Sequence, residues 1–343
     1  MQFQIEAEKL VEAKNKIKRV VLNSSITKKT IYLKIINDEL VMYAYSEGNY
    51  GEVHIPCYGK EPGFVELPHQ AFDIFDYIQG VVSFELSSNQ LIYDNPIVNG
   101  EINIVSDKPD LTEHPIPTKW IKLPKVIFDI LYCNTKDDLN LENVFFIGDT
   151  IATTSRVAFA GYKHPEILVE TPFTVSMSFF DLAPKDDIEV AFDVKKIWLK
   201  SGEFYIGRST IDYTNTIVQK YGYYEFDPEG VPFFEITLEQ AKQLCGYAAA
   251  ISNLMALVLN NGTLTVVPEG SELGKGTMQI KCRSSYGEMN FGTSLKHLLN
   301  AISHVDGATC KAYHLEPQGT SFMLIDGHLT RHMFGEIPNA RAT

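Results

Sequence analysis

The chain lacks any apolar run near the roughly 18 residues that a membrane-spanning helix needs, so no membrane partner is expected. Its opening, MQFQIEAEKL, is mixed and charged, which does not read as a signal peptide. Cysteine is scarce: Cys57, Cys133, Cys245, Cys282 and Cys310 are scattered, odd in number and form no CxxC pair. That excludes a disulfide framework and fits a reducing compartment, so a cytoplasmic protein is expected. Basic residues are outnumbered, 30 Lys and Arg against 43 Asp and Glu, for a net charge of −13. No low-complexity segment occurs. Catalytic motifs are missing too. GSELGKGT (270–277) imitates a phosphate loop, but the first glycine of the motif would have to stand where Glu269 is. There is no GxSxG and no HExxH. His328 and His332 could share a strand face, but no carboxylate or thiolate is spaced to complete a metal site. No enzyme activity, metal or cofactor is expected.

What the chain does have is a threefold pattern. Residues 3–21, 119–134 and 234–251 each run from a short apolar strand into an amphipathic helix: FQIEAEKLVEAKNKIKRVV, KWIKLPKVIFDILYCN and FEITLEQAKQLCGYAAAI. A second helix follows in each, PHQAFDIFDYIQG (68–80), TVSMSFFDLAPKD (174–186) and GTSLKHLLNAISHV (292–305). The repeat, about 115 residues long, exceeds a solenoid unit of about 20–50 and has the size of a domain. Hairpin signals fill the rest, with turns at Asn37-Asp38, Ser87-Ser88-Asn89, Gly148-Asp149, Ser201-Gly202, Asn261-Gly262 and Pro317-Gln318-Gly319. The class is therefore α+β, with antiparallel sheets and two helices per repeat. Proline clusters at 107–119 and 226–232 divide the chain into domains 1–116, 117–231 and 232–343.

The acidic sum argues against nucleic-acid binding, but distribution matters more than the sum. On a helical wheel of the first helix, Leu10, Ala13, Ile17 and Val21 share one face. The opposite face carries Lys9, Lys16 and Arg19, with Lys18 at the flank and Glu12 the one acid. Lys125, Lys136, Lys242 and Lys296 sit off the apolar stripes of later helices. A solvated helix face is the plain alternative for all of them. Three classes stay open on these residues: a DNA-binding accessory factor, an acidic structural or scaffold protein, and an enzyme with an unrecognised site.

Particular stretches add a resemblance. MQFQIEAEKLVEAKNKI, the join SDKPDLTEHPIP (106–117), IATTSRVAFAGY (151–162) and YGEMNFGTSLKHLLNAIS (286–303) resemble, in order along nearly the whole chain, the bacterial-type DNA polymerase sliding clamp. Two departures are plain. Thr-Thr-Ser precedes Arg156 where that family has Asp-Gly-His, and the tail runs on as GEIPNARAT. The size and divergence suit a bacteriophage member. The resemblance implies a head-to-tail homodimer whose six like domains close a ring, helices inward and sheets outward. It implies sequence-independent contact with double-stranded DNA through Lys9, Lys16, Lys18, Arg19, Lys125, Lys136, Lys242 and Lys296. It implies dimer edges at Ile102 and Ile104, and at Met278, Ile280 and Cys282. It also implies a pocket for a short apolar peptide of DNA polymerase and clamp loader, at Leu141, Arg156, Val157, Gly222, Tyr223, Phe226, Met333 and Phe334.

Overall fold

The computed structural model of the chain describes every residue except 23–28, 47, 108–113, 134–141, 156–157, 194, 213–231, 270–275, 285–286, 317–320 and 342–343. Two compact units emerge, Met1–Leu123 with Ser178–Thr210, and Pro124–Met177 with Ile211–Thr343. The stretch 117–231 thus gives strands to both units.

The first unit contains β1 (Gln2–Glu6), α1 (Ala7–Leu22), β2 (Thr30–Ile36), β3 (Glu39–Ser46), β4 (Asn49–Pro56), β5 (Tyr58–Glu61), β6 (Gly63–Pro68), the 3-10 helix η1 (His69–Tyr77), β7 (Val81–Ser87), β8 (Gln90–Asp94), β9 (Asn99–Asn103) and β10 (Ile121–Leu123). The second unit takes the 3-10 helix η2 (Lys125–Ile130), β11 (Asn143–Gly148), β12 (Thr150–Thr154), β13 (Ala158–Lys163) and β14 (Val169–Ser176). After the single turn α2 (Met177–Phe180), β15 (Ile188–Phe192), β16 (Lys196–Ser201) and β17 (Phe204–Ser209) return to the first unit. The second unit then receives β18 (Ile211–Asp212), β19 (Phe234–Thr237), α3 (Leu238–Ala249), β20 (Leu254–Asn260), β21 (Thr263–Pro268), β22 (Met278–Lys281), β23 (Glu288–Ser294), α4 (Leu295–His304), β24 (Thr309–Leu315), β25 (Phe322–Asp326) and β26 (Thr330–Gly335).

Each unit has one large and one small antiparallel sheet. The first has the orders β10-β15-β16-β17-β4-β3-β2-β6 and β5-β1-β7-β8-β9. The second has β18-β14-β11-β12-β13-β26-β25-β24-β19 and β22-β21-β20-β23. The fold class is α+β, as the pattern of elements requires. Asn37, Ser88 and Asn261 sit at positive φ in their turns, as tight hairpins demand. The turn at 317–319 lies outside the described residues.

Two of the helices begin at caps that the sequence supplies. Thr237 and Gln240 form a reciprocal capping box on α3, and Ser294 caps α4 through the His297 N–H. In the middle repeat the two expected helices are the six-residue η2 and the four-residue α2. The run TPFTV entering α2 is rich in β-branched residues, which favour a strand. Pro184 cannot donate the backbone hydrogen bond needed to extend the turn.

Strand alternation gives each large sheet two different faces. In the first unit Ile31, Leu33, Leu40, Met42, Ala44, Val53 and Ile55 are buried on the helix side. Gly51 lies so close to α1 that a Cβ there would stand 2.6 Å from Val20. The opposite face holds a smaller cluster around Val41, Tyr43, Tyr50, Ala191 and Trp198. In the second unit the main core joins α3 and α4 to Cys310, Ala312, Met323, Ile325 and Phe334. The other face carries Phe145, Ile147, Ala152, Phe159, Leu315, Phe322, Leu324 and Met333.

Candidate nucleic-acid and partner interfaces

The basic face of α1 is more nearly neutral than the sequence suggests. Leu10, Ala13, Ile17 and Val21 enter the core, and Lys14 follows them, 1% exposed. Its ammonium bonds to Asp76 and lies 3.7 Å from Asp73. Lys18 bonds to Asp73 as well. The bond from Lys18, joined by the charge of Lys14, holds the Asp73 carboxyl below its usual range. Lys16 reaches Glu12 at 2.6 Å and Lys9 reaches Glu6 at 2.9 Å. Both are exposed pairs of small energetic value. Arg19 is exposed and, among the described residues, has no ion-pair partner. Glu12 was visible on the wheel. Asp73 and Asp76 were not, because η1 follows more than 50 residues later and meets α1 only after folding.

In the second unit Lys125 is exposed on η2, Lys242 on α3 and Lys296 on α4. Lys242 and Lys296 have no carboxylate within ion-pair range among the described residues. The structure brings their two helices together over Ala241, Leu244, Leu298 and Ala301. Lys136 lies outside the described residues.

The expected dimer positions fall on sheet edges. Ile102 is on β9, an outer strand of its sheet, and Met278 and Ile280 are on β22, an outer strand of another. Ile102 and Ile280 direct their side chains inward, 8% and 9% exposed. Ile104 and Cys282 lie just past these strands. Their N–H groups already donate within the chain, to Asn89 O at 3.0 Å and Gly262 O at 2.9 Å. Neither donor is open to a second strand.

Of the expected peptide-pocket residues, Leu141, Arg156, Val157, Gly222, Tyr223 and Phe226 lie outside the described residues. Met333 and Phe334 are adjacent on β26, so they point to opposite faces. Met333 packs with Phe159 and Leu324 away from the helices, and Phe334 enters the helix-side core. Both side chains are buried, Met333 3% and Phe334 1% exposed. His332 is fully buried beside Tyr132, whose hydroxyl is 3.0 Å from Nδ1, while His328 sits on an exposed turn. These two histidines do not share a site.

Neither a family model nor a curated protein sequence matches the chain. Solved structures do. The DNA polymerase sliding clamp of Pseudomonas aeruginosa, crystallised with a ligand, aligns at TM-score 0.78 and 14% identity over 98% of this chain and 99% of that one. The Helicobacter pylori β clamp bound to a DNA ligase peptide aligns at 0.78 and 14%, over 98% and 100%. The sliding clamp of Bacillus subtilis gives 0.78 and 14%, over 98% and 99%. At such identities the likeness shows the fold: the chain is folded as a bacterial sliding clamp along nearly its whole length.

Proposed function

We propose that this protein is a DNA sliding clamp, a processivity factor that encircles duplex DNA and tethers a DNA polymerase in the cytoplasm. The observation that carries the reading is the likeness to sliding clamps over 98% of the chain. In this reading the chain comprises three repeats, 1–116, 117–231 and 232–343, the second sharing a sheet with each neighbour. Two copies close head to tail, β9 of one against β22 of the next, since an unpaired strand edge is a template for pairing. The role is binding, without chemistry.

The DNA-facing set is Lys9, Lys16, Lys18, Arg19, Lys125, Lys136, Lys242 and Lys296. Arg19, Lys242 and Lys296 carry most of the contact, because carboxylates already engage Lys9, Lys16 and Lys18. A few loose phosphate contacts suit a ring that must slide, and its residence comes from topology rather than affinity. The partner pocket is formed by Leu141, Arg156, Val157, Gly222, Tyr223, Phe226 and Met333, with Phe334 supporting β26 from the core. The ligase peptide on the Helicobacter pylori clamp supports a peptide site of this kind.

The test uses nicked circular DNA. The protein, loaded where necessary by its cognate loader, should stay on the circle through gel filtration and leave when the circle is cut. Its mass in solution should be twice 38.6 kDa. Retention that ignores linearisation would refute the reading.

A further inference from the structure

We propose that the first unit carries a second peptide-binding site, on the face of its large sheet turned away from α1, for a segment in which an acidic residue adjoins a large apolar one. The site stands apart from the residues assigned above to DNA and to the partner peptide.

Its walls follow from strand register. Trp198, Gly207, Tyr50 and Tyr45 lie directly opposite one another across β16, β17, β4 and β3. Gly207 breaks this row of aromatic rings. A Cβ there would stand 2.9 Å from the Trp198 ring, so glycine lets the indole lie down across β17. The gap is a cavity of about 290 Å³. Its other wall is His114, from the segment after β9, whose ring centre is 4.9 Å from that of Tyr50 and 6.1 Å from that of Tyr45.

One polar group sets the chemistry. Lys196 stands two residues before Trp198 on β16 and therefore on the same face. Its Nζ donates to His114 Nδ1 at 2.8 Å, and no carboxylate among the described residues lies within ion-pair range of it. Among the described residues no acidic side chain lines the cavity. Glu52, the acid next along β4, is engaged by the Tyr50 hydroxyl and by His54.

Aromatic walls take an apolar side chain, and Lys196 takes a carboxylate beside it. The volume fits one or two side chains rather than a domain, and small apolar sites of this kind use few polar groups to fix orientation. DNA is the poorer match, because the site faces away from the basic helix α1 and the chain is acidic overall.

The experiment is a selection from a displayed random hexapeptide library, run in parallel on the parent and on Lys196→Glu, without DNA. Lys196 is a half-buried strand residue on the non-helix face, so the variant should fold, and circular dichroism checks this. The expected result is a class of peptides with Asp or Glu beside Phe, Trp, Tyr or Leu. Those peptides should bind the parent at least tenfold more tightly than Lys196→Glu and should quench Trp fluorescence. Gly207→Ala, which pushes the indole toward the cavity, should weaken the same class. Selected peptides that bind parent and Lys196→Glu alike would overturn the site, as would the absence of an acidic-apolar class. Deoxynucleoside monophosphates that bind with the same Lys196 dependence, while no peptide does, would overturn the peptide assignment. Lys196→Glu should still be retained on nicked circles. Failure of the clamp reading would appear there, on both proteins, and not in the selection.

Discussion

Acid should loosen the second unit at a pH where its carboxylates are still ionised, and the cause is His332. Its imidazole is fully buried on β26 and pairs with the Tyr132 hydroxyl at 3.0 Å. The Tyr132 ring stacks on His332 at 5.7 Å and on His304 at 4.6 Å. Burial disfavours the imidazolium and pushes the His332 pKa down from 6.5 to about 3. The folded protein therefore refuses a proton that the unfolded chain accepts. Stability rises with pH wherever the unfolded state binds more protons, so it must fall as pH drops from about 6.5 toward 3. At pH 5 the unfolded chain holds that proton more than nine-tenths of the time, and the loss is about 2 kcal/mol. His332→Phe keeps the volume and removes the titration. It leaves the Tyr132 hydroxyl without its partner, which costs about 1–3 kcal/mol at every pH and cancels in the comparison. Urea unfolding of both proteins at pH 7.5 and pH 5.0, followed by circular dichroism, measures the difference. The parent should lose about 2 kcal/mol more than the variant between the two pH values. Equal losses would refute the assignment of a neutral buried imidazole.

Three further outcomes are expected. Arg19→Glu should shorten retention on nicked circles more than Lys16→Glu, because Lys16 already has Glu12; the reverse order would show that these pairs open on DNA. Successive N–H groups of a strand alternate in direction, so either Gln279→Pro or Ile280→Pro on β22 must remove an outward donor, and sedimentation should show a monomer for one of them; two unchanged dimers would exclude this edge. Asp306 accepts bonds from Leu329 N at 2.8 Å, Thr330 N at 2.8 Å and Thr330 Oγ1 at 2.7 Å. Burial pushes its carboxyl up, but these bonds outweigh it and hold the pKa below the usual range, so Asp306→Asn should lower stability by about 1–3 kcal/mol at pH 7 and by less as pH falls below 4; a pH-independent loss would assign the effect to packing instead.

The sequence by itself determined what depends on neighbours along the chain. The stripe of Leu10, Ala13, Ile17 and Val21 has the helical period, and all four residues are buried. Asn37, Ser88 and Asn261 marked turns, and each has the positive φ such turns need. The order of strands and helices was enough to identify the class. Tertiary structure alone decided which charges and surfaces are available. It set Asp73 and Asp76 against Lys14 and Lys18, closing part of a basic face that looked open on the wheel. It turned Met333 and Phe334 to opposite faces of one strand. It also aligned Trp198, Gly207, Tyr50 and Tyr45 across four strands drawn from distant parts of the chain. Periodicity reports which side of an element is apolar, because that side must leave water whatever covers it. It does not report what lies opposite, because the register between distant strands is set by the packing of the whole unit.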